Sequence, residues 1–211
     1  AQDDRLYQLT IDKSAKLVRS LPIKTRLPIY AMTGANPLYL ATMQGLYQHP
    51  AASDSVQPLL RFRDATFDIA QDQIVALSRT NDGGLWLASR NDGVYFWHPE
   101  QQQFQQIQLP QSASRRHNPI FPGMVTALAV DPDGTLWLAG NDLARMAPSY
   151  QQVEAAPLPE ELPKGFGRVI ARIYPDAAGH LWLRNGNSLH FYDPAQGRFL
   201  SPPLVETNLQ T

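Results

Sequence analysis

The chain has 211 residues, enough for one large domain or two small ones around a substantial buried core. Eighteen Lys and Arg against nineteen Asp and Glu leave a net charge of -1 with no basic or acidic block, which argues against electrostatic binding to nucleic acid or to an anionic membrane. Cysteine is absent, so disulfides, thiolate metal sites and cysteine nucleophiles are excluded.

The chain begins "AQDD", as removal of a signal peptide after a small residue would leave it, although an arbitrary boundary would look the same. Residues 5–22 ("RLYQLTIDKSAKLVRSLP") form two short β-rich runs around a polar connection. The next element begins at Ile29 ("IYAMTG") and is followed by "PLYLAT", which contains Tyr39, and by "GLYQHP" at Gly45. A second group repeats the order, with "QIVALSRT" at Gln73, "NDGGLWLAS" around Trp86, "GVYFWHP" at Gly93 and "FQQIQLP" at Phe104. A third has "MVTALAV" at Met124, "DPDGTLWLAG" around Trp137 and "LARMAP" at Leu143. The fourth has "RVIARIY" at Arg168, "DAAGHLWLRN" around Trp182, "SLHFYDP" at Ser188 and "RFLSPP" at Arg198. "MVTALAV" is the longest apolar run, far short of the roughly 20 residues that span a bilayer.

Tyr39, Trp86, Trp137 and Trp182 thus mark a repeat of about 47 residues, the signature of stacked supersecondary units. Its bounds are roughly 29–66, 73–112, 123–160 and 167–203. Each unit reads as four short strands joined by tight turns. In each triplet the aromatic points to one face of the sheet and its neighbours, such as Leu85 and Leu87, point to the other. A sheet apolar on both faces has to be stacked between copies of itself. The expected fold is therefore all-β, a β-propeller of four-stranded antiparallel blades, with about four full blades and residues 5–22 as the outer strands of a partial N-terminal blade. A piece of a larger propeller is favoured over a small five-bladed ring completed by 204–211, because open sheet edges invite aggregation.

"IVALSRTNDGGLWLASRNDGVYFW" (Ile74 to Trp97) and "VTALAVDPDGTLWLAGNDLARM" (Val125 to Met146) resemble the two-component regulator propeller repeat, and the fourth and first units resemble it more loosely. The resemblance implies an extracytoplasmic, periplasmic sensor module, ahead of a transmembrane helix and a histidine kinase or diguanylate cyclase. It also implies a homodimer through the full-length protein, and no catalysis, cofactor or membrane contact in this segment.

Five features are candidates for chemistry. "DPDG" at Asp131 and "NDGG" at Asn81 look like the start of a calcium loop, but no acid follows where such a loop needs one, so a hairpin turn is favoured. The tryptophans are read as packing between blades in preference to sugar platforms. His49, His98, His117, His180 and His190 lack metal-ligand spacing. Arg115, Arg116 and His117 lie in a long irregular connection, either a solvated loop or a binder of anions or carboxylates. In a propeller the turns between second and third strands share one face with the blade connections. They carry Met43, Gln44, Arg90, Asn91, Asp92, Asn141, Asp142, Arg184, Asn185, Gly186 and Asn187, along with Arg115 to Asn118 and Lys164 to Arg168. Arg, Asn and Asp converging there would suit a carbohydrate or an anionic small ligand. The alternatives are an interaction scaffold without a small ligand and, third, a lyase-type propeller whose base would have to be His117.

Overall fold

A computed structural model describes residues 6–9, 17–21, 28–34, 36–43, 45–50, 56–59, 73–90, 93–101, 103–107, 125–156, 158–164 and 169–201. The chain divides into two compact units, Ala1–Gln108 and Leu109–Thr211. Every regular element among the described residues is a β-strand.

In the first unit β1 (Leu6–Leu9) and β2 (Leu17–Leu21) form an antiparallel pair. Strands β3 (Ile29–Thr33), β4 (Leu38–Thr42), β5 (Gly45–His49) and β6 (Gln57–Pro58) then make a four-stranded sheet in chain order. Strands β7 (Ile74–Arg79), β8 (Leu85–Ser89), β9 (Gly93–His98) and β10 (Gln103–Ile107) make another. The second unit holds two more of the same kind. One is β11 (Ala127–Val130), β12 (Leu136–Ala139), β13 (Leu143–Met146) and β14 (Val153–Ala155). The other is β15 (Ile170–Pro175), β16 (Leu181–Asn185), β17 (Ser188–Asp193) and β18 (Arg198–Leu200). All pairings within these sheets are antiparallel, so the described residues form four propeller-type blades, two in each unit.

The triplets explain why these sheets stack. Every residue of β8 is buried, as is every residue of β12. A strand buried on both faces needs cover from both sides, and the alternation of its side chains decides what each side offers. In the first unit, Tyr39 and Ala41 from β4 pack on Leu85 and Leu87 from β8, with Leu46, Ile74, Leu77, Tyr95 and Trp97 around them. The rings of Tyr39 and Trp97 meet edge to face at 6.0 Å. The second unit repeats the arrangement: Trp137 and Ala139 from β12 pack on Leu181 and Leu183 from β16, with Leu143, Ile170, Ile173 and Tyr192. Within each unit, then, the aromatic face of one blade lies on the leucine face of the next. Each fully buried leucine contributes roughly 1.5–3 kcal/mol relative to exposure.

Polar groups of both main chain and side chains also join the blades. In the second unit the Thr126 hydroxyl donates to the Ile170 carbonyl at 2.6 Å, and Ile170 N donates to the Gly140 carbonyl at 2.7 Å. In the first unit Gln73 Nε2 donates to the Tyr30 hydroxyl at 2.7 Å.

Candidate functional site

The acidic turns are hairpins whose carboxylates accept hydrogen bonds from within the turn. In "DPDG", Asp131 N donates to Thr135 O at 3.0 Å and Gly134 N to Asp131 O at 3.0 Å. Asp131 Oδ1 and Asp133 Oδ1 both accept from Thr135 N at 2.9 Å, and Asp131 Oδ2 accepts from the buried Trp137 Nε1 at 2.9 Å. Gly134 sits at φ +90°, a conformation open to glycine. Burial and the neighbouring Asp133 carboxyl push Asp131 above the usual carboxylate range. Hydrogen bonds from Asp131 and Thr135 hold Asp133 down to about 2.

The other two turns vary the same device. At "NDGG", Thr80 stands where Asp131 stands in its blade, and its hydroxyl donates to Asp82. That bond, with support from Gly84 N, holds the Asp82 carboxyl low. At "DAAG", Asp176 Oδ1 accepts from Ala178 N at 2.8 Å and from His180 N at 2.9 Å, and its Oδ2 lies 3.1 Å from His180 Nδ1. Burial raises the Asp176 carboxyl, but these hydrogen bonds outweigh it and leave the group below its ordinary value. No group of three His, Asp or Glu side chains among the described residues is arranged to hold a metal ion.

The turns between second and third strands divide the expected ligand contacts into two kinds. Arg90 is exposed beyond β8, its N donating to the Gln73 carbonyl and its guanidinium to Gln73 Oε1, both at 2.9 Å. Asn141 is exposed at the β12–β13 turn. Its neighbour Asp142 is tied down, because Oδ1 accepts from Leu143 N at 2.9 Å and from Leu158 N at 2.7 Å. That single carboxylate fastens the start of β13 to the chain that leaves the blade after β14. Asn185 is buried, and its Nδ2 donates to the Val169 carbonyl at 2.8 Å. This bond takes the place of the main-chain bond that Arg90 N makes to Gln73 in the second blade. Asn91, Arg115, Arg116 and His117 lie outside the described residues.

Arg184 differs from its expected setting. It lies within β16, as does Asn185, and of the four residues expected in the turn Gly186 and Asn187 form it. Its cross-strand partners are Arg172 on β15 and Leu189 on β17. Arg172 was not among the residues singled out from the sequence, and its guanidinium donates to the Ala171 carbonyl at 2.7 Å. Two positions after each triplet aromatic stands Ala41, Ala88 or Ala139 in the first three repeats and Arg184 in the fourth, a signal that marks Arg184 and not its partner.

The family model for the two component regulator propeller matches residues 119–142, which span β11, β12 and the exposed turn carrying Asn141. A comparison with curated proteins returns no match. Among solved structures, the extracellular domain assigned to a one component system of B. thetaiotaomicron is similar at 20% identity and a TM-score of 0.58, covering 82% of this chain and 22% of that one. The extracellular domain assigned to a hybrid two component system of the same organism is similar at 14% identity and a TM-score of 0.63, covering 94% and 30%. Virginiamycin B lyase from Staphylococcus aureus is similar at 12% identity and 0.63, covering 95% and 63%. The chain therefore spans less than a third of the two extracellular domains, and at these identities the likeness concerns the fold.

Proposed function

We propose that this chain is a sensor segment of a membrane-bound bacterial signalling protein, placed outside the cytoplasmic membrane. It takes a carbohydrate or anionic small ligand at its second-to-third-strand turns and does no chemistry itself. The observation that carries this reading is the two component regulator propeller repeat at 119–142. Its acidic turn is spent on folding, while its next turn leaves Asn141 exposed. Arg90 occupies the matching turn of the second blade and is exposed as well. The fold likeness to extracellular domains assigned to one component and hybrid two component systems supports the same placement. Ligand binding would act by favouring one of two arrangements of the full-length protein, a homodimer in this reading, and the output would come from a histidine kinase or diguanylate cyclase.

A thermal-shift screen of the chain against sugars, inorganic anions and divalent metals tests the proposal. A saturable stabilisation by a sugar or an anion, weakened at least tenfold in affinity by Asn141→Ala or Arg90→Ala, is the expected result. A flat response to the whole panel would refute small-ligand sensing. A lyase reading draws only on a fold likeness at 12% identity, and the base it would need, His117, lies outside the described residues.

A further inference from the structure

Arg90 stands four places after Trp86, where the other repeats carry Met43, Asn141 and Gly186, so of the four only the second blade places a charge at this turn position. The same blade departs from the repeat at a second position. The residue before the first cross-strand pair is Pro28 in the first blade and Val169 in the fourth, but Gln73 in the second. The two departures meet. Arg90 N donates to the Gln73 carbonyl and Arg90 Nη1 to Gln73 Oε1, both at 2.9 Å. Gln73 Nε2 in turn donates at 2.7 Å to the hydroxyl of Tyr30, which lies at the bulge between Ile29 and Ala31. Both ends of one amide are engaged, and they tie the arginine of the second blade to the tyrosine of the first.

This arrangement fixes orientation and leaves charge intact. An amide oxygen is neutral, so it holds the guanidinium in place without cancelling its charge. Arg145 shows the other outcome, since Glu154 Oε2 lies 3.2 Å from its Nε and completes an ion pair. No carboxylate among the described residues pairs with Arg90, which is exposed. The bond to Gln73 uses one hydrogen of Nη1 and leaves the Nε–Nη2 edge, the fork that meets a carboxylate through two parallel hydrogen bonds. A side chain held before its ligand arrives loses less freedom on binding than one that the ligand must order. The cluster brings one positive charge beside the neutral Gln73 and Tyr30, which matches a monoanionic carboxylate better than a phosphate with nearly two negative charges.

We propose that this cluster recognises the carboxylate of a small organic acid, such as an acidic sugar or a hydroxy acid. Arg90 is the contact and Gln73 its positioning residue. The site presupposes the sensor reading above and narrows its ligand to one chemical class. The carboxylate takes the open edge of Arg90, while Gln73, anchored on Tyr30, keeps that edge in place.

Isothermal titration calorimetry of the intact chain tests this with two matched pairs, glucuronate against glucose and lactate against lactamide, and with inorganic phosphate as a further anion. At least one carboxylate should bind saturably, at least tenfold more tightly than its uncharged counterpart and than phosphate, and raising the salt should weaken it. Arg90→Lys keeps the charge without the fork and should weaken it at least fivefold. Gln73→Glu keeps an acceptor for Arg90 but cancels its charge, and should weaken the carboxylate at least tenfold. Gln73→Ala, which frees the guanidinium and leaves its charge, should weaken it by a smaller factor, and near-UV circular dichroism confirms that each variant is folded. Carboxylate binding that survives Arg90→Lys or Gln73→Glu, or phosphate binding more tightly than either carboxylate, overturns the proposal. Glucose binding as tightly as glucuronate and indifferent to Arg90→Lys overturns it while the sensor reading stands. A flat response to every sugar and anion overturns both.

Discussion

Trp137 Nε1 donates to Asp131 Oδ2 at 2.9 Å in the interior of the third blade, while Asp131 Oδ1 closes the turn by accepting Thr135 N at 2.9 Å. One side chain therefore sets the hairpin and orients the ring that packs on the fourth blade. Asp131→Ala leaves a buried indole N–H without its acceptor, at a cost of about 1–3 kcal/mol in urea unfolding. Trp137→Phe removes the donor, so Asp131→Ala made on top of it should cost at least 1 kcal/mol less than in the wild type. A full cost in both backgrounds would show that the carboxylate acts only on the turn.

The acid limb of stability should be traceable to the same turn. Asp133 has a folded pKa of about 2, below the roughly 3.9 of an unfolded Asp. Its contribution is fully present above about pH 4 and is lost as pH falls through about 2. Asp82 and Asp176 are also depressed and act with the same sign. Asp131 is raised and acts in the opposite sense: its ionised form costs stability above its folded pKa, and protonation relieves that cost as pH falls. The melting temperature of the wild type should therefore drop between pH 4 and 2, and drop less in Asp133→Asn. Superimposable melting curves across that range would contradict the assignment.

Gly84 is required by contact and not by backbone angle. A Cβ there would lie 2.6 Å from Phe96 Cζ and 2.8 Å from Thr80 Oγ1, and the Phe96 ring lies tilted against Trp86, with centroids 4.8 Å apart. Gly84→Ala should cost about 1–3 kcal/mol, as overpacking does. Phe96→Leu in the same chain should recover part of that loss by withdrawing the ring. Gly179, at φ +84° with nothing within 4 Å, provides the contrast. Gly179→Ala should cost about 1–2 kcal/mol from the left-handed backbone, and no change at Phe96 should rescue it.

The blades were legible in the sequence because their signal is local and repeated. A turn, an aromatic flanked by leucines and a β-rich run define each sheet without reference to anything distant, and the observed strands follow them. The roles of the polar residues were harder to read. Asn141 and Asp142 are adjacent and chemically alike, yet only the second finds the amides of Leu143 and Leu158, fifteen residues apart in the chain. Asn185 looked like a turn residue until the bulge between Ile170 and Arg172 brought the Val169 carbonyl to its amide. Arg172 escaped notice for a related reason, since "VIARIY" alone does not say which of its residues faces Arg184. Register between strands is set by turns and bulges, and it decides which polar group is consumed by folding and which is left to meet a ligand.

Asn141 and Asp142 provide the sharpest separation of folding from binding. Asp142 accepts two amide protons and fastens two segments of the blade, so Asp142→Ala should cost about 1–3 kcal/mol and speed amide exchange at Leu158. Asn141 is exposed, so Asn141→Ala should change stability by less than about 0.5 kcal/mol. Any ligand identified by thermal shift should then lose affinity at Asn141→Ala while the ligand-free melting temperature stays put. Lost affinity only in proportion to lost stability, at Asp142 and not at Asn141, would mean that the turn supports the blade and takes no part in recognition.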